Sequence, residues 1–469
     1  MLEWPSHESQ TRVFWRSCTR APPHRRRCLS DSSGDPAVPP RHDPLAALRQ
    51  VSFLLYTSSR GLSVVGLTSL NAVIAWQVYE ISGSALNLGL LGLAQFIPAL
   101  SVSLIGGATA DTYNRRNIIL IAQCVPLTCA SILCVATLGD WVRLELIYGL
   151  VLFIGMANAF EAPARAALLP AIVRPETFAN AVTVSSTIQS FCAVSGPALA
   201  GGIIALAGVG AGFLAYICFA LSSMLVLSFL KVRAANSGGG KVSLAMVREG
   251  IRFVRSQQVI LGAMSLDMFA VVFGGATALL PVYASDILEV GPAGYGILQG
   301  SFYGGAFLTS LFLVFRPAID RTGRALLIAV ALFSIATIAF GLSRDFYLSL
   351  AIYVVIGALD RVSVVMRQTT IQLATPDELR GRVSAVNQSF IGASNQIGAM
   401  ESGFVAALTS ATFAVVSGGA AALAVTGLIR TRLPLLYNYR VSTAVGSMRQ
   451  PVTSIAAVPP QEQPASSSP

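Results

Sequence analysis

The chain is poor in charge. Asp, Glu, Lys and Arg make up only 12% of its 469 residues, against roughly 25% in a soluble globular domain. That shortage, beside a hydrophobic content of 54%, excludes a soluble protein. Three histidines and seven cysteines, with no CxxC pair and no His cluster, give no basis for a metal site or a disulfide framework. Cys124, Cys129 and Cys134 share one apolar stretch, while Cys192 and Cys218 lie in others. Buried free thiols are the simplest reading of these five. No GxxxxGK[ST] loop occurs, so ATP-driven chemistry has no support. HExxH, GxSxG and clustered Asp/His sets are also missing, which argues against an enzyme, and no cofactor is implied. The weakly alternating segments of a membrane β-barrel are not found either.

What is present is long apolar runs, with a mean hydropathy of +0.66. About 20 apolar residues cross the hydrocarbon core as a helix. Twelve stretches qualify, near 53–79, 86–110, 117–139, 143–163, 178–206, 208–230, 259–284, 293–316, 325–343, 345–367, 383–409 and 411–430. The expected fold is therefore all-α membrane, with twelve transmembrane helices. The formal charge of +10 does not call for a nucleic-acid partner. Basic residues gather at 12–49, 115–116, 165–174, 231–255, 316–324, 361–382 and 430–449, which are alternate loops, and the opposite loops carry little beyond Arg143 and Arg344. The positive-inside rule then puts both termini and the central loop in the cytoplasm.

The spans divide six plus six. A disordered basic arm is expected over 1–48, one six-helix bundle over 49–232, a cytoplasmic linker over 233–258, a second bundle over 259–432, and a disordered tail over 433–469. The arm is rich in Arg, Pro and Ser, and its five acidic residues speak against a transit peptide. Within the linker, Leu244, Val247, Ile251 and Val254 recur at helical spacing opposite Arg248, Arg252 and Arg255. An amphipathic helix on the inner membrane surface fits that pattern, and so does a plain tether. Pro175-Glu-Thr-Phe-Ala-Asn-Ala-Val182 after Arg165 is echoed by Pro376-Asp-Glu-Leu-Arg-Gly-Arg-Val383 after Arg367. Such parallel repeats mark alternating-access transporters, whose site lies between the halves.

Between spans two and three runs Gly106-Gly-Ala-Thr-Ala-Asp-Thr-Tyr-Asn-Arg-Arg116, with a worn echo at Arg316-Pro-Ala-Ile-Asp-Arg-Thr-Gly-Arg324. Gly106 and Gly107 permit close helix approach, Asp111 can face a helix N-terminus, and Arg115 and Arg116 mark the basic side. The turn reads either as a conformational latch or as an ordinary positive-inside loop. Together with EAPARAALLPAIV (161–173), REGIRFV (249–255), AGYGIL (293–298) and PDELRGRV (376–383), it resembles the major facilitator superfamily. More narrowly, these pieces resemble the bacterial branch that includes the enterobactin exporter and related drug-efflux proteins. The resemblance covers about residues 49–432.

That resemblance implies a proton-coupled exporter of amphipathic small molecules of siderophore or drug type, monomeric, in the bacterial inner membrane. The alternatives are a non-transporting receptor or scaffold on the same fold, an importer, or a lipid transporter. It implies that Asp111 meets the N-terminus of span eleven and that Arg115 pairs with Glu161. Gly196-Pro197-Ala-Leu-Ala-Gly201 resembles the antiporter motif of span five, although Ala200 stands where that pattern has glycine. A second departure is that 144–160 holds no arginine, which such antiporters carry deep in span four.

Ionisable residues inside spans are functional candidates by default, because a mid-membrane charge costs about 2.5–3.5 kcal/mol. Asp267 in span seven has no partner in its own helix and is the favoured proton carrier. Asp360 and Arg361 lie in span ten, Arg60 and Gln77 in span one, and Glu401 in the polar seam of span eleven (Asn387, Ser394, Gly398). Asp360 is expected to pair with Arg361 or Arg60, as a relay or as a structural ion pair. For the seam, helix packing is the plainer reading and a coupling role for Glu401 the sharper one.

Overall fold

A lipid environment offers no partner for backbone N–H and C=O groups, so a chain this apolar must satisfy them within helices. The computed structural model does so throughout. It describes residues 46–101, 109, 113–174, 177–230, 244–316, 319–376 and 379–442, and no strand occurs among them. The helices are α1 (Val51–Ser82), α2 (Ala85–Ser101), α3 (Arg115–Leu138), α4 (Leu144–Ile172), α5 (Phe178–Ser228), α6 (Leu244–Ser256), α7 (Gln258–Phe273), α8 (Gly291–Val314), α9 (Thr322–Leu342), α10 (Phe346–Leu373), α11 (Arg380–Leu408) and α12 (Ala411–Arg432). Their ends carry local stop signals. Asn114 caps α3 by accepting from the Arg116 N–H, Asp345 caps α10 by accepting from Leu348, and Ser410 caps α12 by accepting from Phe413.

Nine helical stretches among the described residues are long and apolar enough to cross a membrane. The chain is a multi-pass membrane protein. Two elements depart from simple counting. The expected spans 178–206 and 208–230 form one continuous element, α5, broken at Gly208, whose φ of 80° only glycine adopts without strain. Helix α11 is 29 residues long, but its seam of amides and hydroxyls makes it too polar to read as a span by hydropathy alone. Consecutive spans of a bilayer protein alternate in direction, which assigns the turns beside Arg174 and Arg321 to one face, here termed the basic face, and those at Gly83, Asp140, Ser343 and Thr409 to the far face.

Within the first half α1 packs along α5, and α3 along α4 and α5; within the second, α9 and α8 pack along α10. The two halves meet mainly through α5 with α8 and α2 with α11. Both contacts depend on small residues. A Cβ added to Gly201 would lie 2.4 Å from the Pro292 carbonyl oxygen, and one on Gly403 would lie 2.5 Å from Gly89 Cα. Backbones touch there, as small residues allow between membrane helices.

Three expectations change. Helix α4 runs on to Ile172, well past the expected end at 163, so Arg165 lies inside a span and is 2% exposed. Helix α6 forms where expected, but part of its surface faces protein. Val254 is buried in the second-half core, Gly250 lies against the Arg382 backbone, and Glu249 pairs with Arg382 at 2.6 Å. The start of the tail is structured. Leu433 and Leu436 pack on Gly262, and the Tyr437 ring sits between the Arg324 and Arg430 guanidinium groups at 4.6 and 5.3 Å. Val441 and Ser442 then donate backbone N–H bonds, each 2.9 Å, to the Asp320 carbonyl and carboxylate. Apolar burial and cation–π contact order a segment whose composition alone reads as a tail.

The bonds from Ser442, assisted by the charges of Arg440 and Arg321, hold the Asp320 carboxyl below the usual carboxylate range. A depressed carboxyl supports its partner above its free pKa and loses that support as pH falls. Asp320→Asn should accordingly loosen residues 439–442 at neutral pH. Limited trypsin digestion in detergent checks this, with faster cleavage after Arg440 expected in the variant.

Candidate functional site

A cavity of about 380 Å³ lies between the two halves. Its position follows from a break in α7. After Phe273 the helix opens into a 3-10 turn, Gly275–Leu279, and then a π turn, Tyr283–Ile287. The break fits because a Cβ on Gly275 would lie 2.0 Å from Ser402 Oγ of α11. Residues 274–278 form one wall. Discontinuous helices beside a midplane cavity are the usual construction of a transport site.

Two kinds of side chain dominate the remaining walls. Five amides face in: Asn71 from α1, Gln95 from α2, Gln299 from α8, and Asn395 and Gln396 from α11. Five rings accompany them: Tyr295, Phe302 and Tyr303 from α8, Phe333 from α9 and Tyr353 from α10. The rings brace one another. Tyr353 lies 5.8 Å from Phe302 and accepts or donates a 2.9 Å bond with Thr277, and Trp76 backs Tyr295 at 5.6 Å. Among the described residues one lining side chain carries a formal charge, Asp360, near the midpoint of the 28-residue α10. It makes no hydrogen bond or ion pair with another described residue.

The other candidates lie elsewhere. Asp267 does have a partner, contributed by another helix: Arg367 of α10 pairs with it, and both are buried. Asp360 pairs with neither expected arginine. Arg60 donates from Nε to Gln189 Oε1 at 3.0 Å, joining α1 to α5, and Arg361 keeps a buried Nε without a hydrogen-bond partner. Gln77 donates to Thr137 Oγ1 of α3 at 2.7 Å, away from the cavity. Glu401 is half-buried and accepts from Ser402 Oγ at 3.3 Å.

Glu161 is the centre of a second polar cluster, inside the first half. It accepts from Arg165 Nε at 2.5 Å, Gln123 Nε2 at 3.3 Å and Ser63 Oγ at 3.4 Å. The expected Arg115–Glu161 pair is not formed. Arg115 donates to the Ala167 carbonyl at 3.0 Å, and Arg116 to that of Ser228. Glu161 lies six residues deeper than Ala167, roughly 9 Å along the helix, and Arg165 already occupies it. Gly106, Gly107 and Asp111 lie outside the described residues. In the span-five motif, Gly196 fits against Thr68 and Val65 of α1, while Pro197 and Gly201 abut Gly296 of α8. That motif is a packing surface on both sides.

Sequence reasoning missed the far-face contact. The Tyr79 hydroxyl donates to the Asp286 carboxylate, tying the end of α1 to the π turn after α7. Gln396 likewise donates to Gln95 across the α2–α11 contact at 3.3 Å. Polar residues near span ends carry no periodic signal, and only the pairing of elements distant in sequence reveals them.

Comparison with known proteins places this geometry. The family model described as transmembrane secretion effector matches residues 42–457. The enterobactin exporter of Citrobacter koseri is 25% identical over 365 residues, covering 77% of this chain and 86% of that protein. The staphyloferrin A transporter of Staphylococcus aureus is 27% identical over 267 residues, covering 56% of this chain and 64% of that one. Among solved structures, a proton-dependent oligopeptide transporter superposes with a TM-score of 0.64 at 14% identity, covering 82% of this chain and 98% of its own. A bacterial homologue of the lysosomal transporter Spinster, inward-facing and unoccupied, gives 0.60 at 15% identity, covering 83% and 96%. At these identities the structures speak to fold alone.

Two contacts are tested by substitution. Arg367→Ala leaves Asp267 buried without a counter-charge and should cost about 3–5 kcal/mol, whereas Asp267→Asn with Arg367→Met should recover most of it. Gly201→Leu should force α5 from α8 and cost about 1–3 kcal/mol. Thermal unfolding of the purified protein in detergent measures both.

Proposed function

This chain belongs to the transmembrane secretion effector family of the major facilitator superfamily, and we propose that it is a proton-coupled exporter working by alternating access. The family is one of membrane transporters, not of enzymes, and its members carry small molecules across the bilayer. The finer reading has twelve spans, with α5 crossing twice about Gly208 and α11 crossing despite its polar seam. The bundles are 49–232 and 259–432, and the basic face is cytoplasmic, as the positive-inside rule requires. The membrane is the bacterial inner membrane and the protein works as a monomer. Export is favoured because the enterobactin exporter shares 86% of its length with this chain. The cargo is an amphipathic small molecule of siderophore or drug type.

One observation carries the coupling assignment. Among the described residues Asp360 is the charged side chain of the cavity wall, and neither Arg361 nor Arg367, whose charges reach it, makes an ion pair with it. A carboxylate in a drying cavity binds a proton readily, and its position between the bundles lets it meet either side in turn. Asp267, occupied by Arg367, serves instead to hold α7 against α10. The small-residue faces of α2 with α11 and α5 with α8 are the surfaces on which the bundles rock. Tyr79 with Asp286 closes the far side. The turn at 106–116, through Asp111, latches the cytoplasmic side, with Arg115 and Arg116 anchoring it to α4 and α5.

Proteoliposomes with an imposed proton gradient test this reading, using a panel of catecholate siderophores and lipophilic amines. Wild type should accumulate at least one compound when the gradient is applied. Asp360→Asn should lose gradient-driven accumulation by about tenfold or more. Undiminished gradient-driven accumulation in that variant removes Asp360 as the coupling group. A wild type that moves no member of the panel and no protons sinks the exporter reading.

A further inference from the structure

We propose that the cavity takes a ring-bearing organic cation, a protonated or quaternary amine, with Asp360 as its counter-charge. The inference rests on the cavity being the transport site. It goes further by naming the charge of the cargo, which the relatives leave open.

Charge comes first. The lining side chains among the described residues include one carboxylate and no lysine, arginine or histidine. The charges of Arg361 and Arg367 reach Asp360, but neither makes an ion pair with it. Arg367 is held by Asp267, and Arg361 follows Asp360 in the chain but does not line the cavity. An ionised carboxylate removed from water is costly unless a cation meets it. A bound ammonium supplies that cation. A carboxylate-rich or otherwise anionic cargo meets no opposite charge on this wall and faces a like one.

Shape and ring chemistry agree. Tyr353, Phe302 and Tyr303 form a connected set, with Phe302 at 5.8 Å from Tyr353 and at 5.5 Å, edge-on, from Tyr303. Tyr353 and Asp360 lie seven residues apart on α10, close to two turns, so the rings and the carboxylate share one side of the helix. Ring faces attract ammonium groups within about 6 Å of their centroids, most strongly when water is excluded. The same rings stack on an aromatic cargo. The amides of Gln299, Asn395 and Gln396 offer donors and acceptors for its polar substituents without adding charge. The volume of about 380 Å³ lies within the range of sites for drug-sized molecules.

Binding to purified full-length protein in detergent separates this proposal from the transport reading. Three polycyclic dyes serve as probes by fluorescence anisotropy: ethidium as the monocation, Nile red as the neutral compound and fluorescein as the anion. Wild type should bind ethidium more tightly than fluorescein by about tenfold or more. Asp360→Asn should weaken ethidium by about tenfold while Nile red changes by less than about twofold, which also reports that the cavity is still folded. Asp360→Glu should restore most of the ethidium affinity. Ethidium affinity unchanged in Asp360→Asn overturns the proposal. So does fluorescein binding as tightly as ethidium, or wild type that ignores ethidium yet exports a neutral or anionic compound in proteoliposomes. In that last case the exporter reading stands and the cation assignment falls.

Discussion

An arginine sealed inside a helical bundle has to meet a carboxylate, and among the described residues one such arginine is buried in each half. Arg165 finds Glu161 one turn back on its own helix; Arg367 finds Asp267 on a neighbouring one. The two arginines stand at matching points, each just ahead of the Pro-acid repeat that leads into the next span. Around Glu161 the cluster draws in Ser63 of α1 and Gln123 of α3, so three helices of the first half share one buried polar centre. Asp267 does the same for α7 and α10. Removing either charge of a pair strands the other away from water, which makes both clusters costly to open. Each half is thereby stiffened from inside.

Stiff halves leave movement to the surfaces between them. Those surfaces are built differently, from glycine and alanine in backbone contact and from a few polar bonds such as Gln396 to Gln95 and Tyr79 to Asp286. Contacts of that kind part and re-form at low cost, since no buried charge is exposed when they separate. The cavity sits in the seam, where α7 unwinds and the walls turn from aliphatic to amide and aromatic. A carboxylate without an ion pair in such a place is suited to exchange, because among the described residues the wall holds no cation.

Much of the fold was legible in the residues. The all-helical, multi-pass character follows from apolar runs whose length the bilayer itself imposes. The linker helix was visible as Leu, Val and Ile at helical spacing, and the break near 207 in the division of the apolar run into 178–206 and 208–230. The short estimate for span four had a local cause. Pro163, Arg165 and Pro170 look like a loop in a hydropathy window, yet Arg165 stays helical because Glu161 neutralises it one turn away. The structured residues 433–442 were hidden for a related reason, since their anchors, Gly262, Arg324 and Asp320, are distant in sequence.

By itself the sequence determined that this chain is helical and crosses the membrane many times, with acids placed inside apolar spans. Those properties are set by local composition, period and charge. Which acid is free was decided by tertiary structure alone. In the sequence Asp267 lies among apolar neighbours while Asp360 has Arg361 beside it, which points to the opposite assignment. Packing brings Arg367 to the first and an open cavity to the second. That difference arises from which helices lie side by side, and helix adjacency is a matter of side-chain fit across the bundle, not of any one segment's residues.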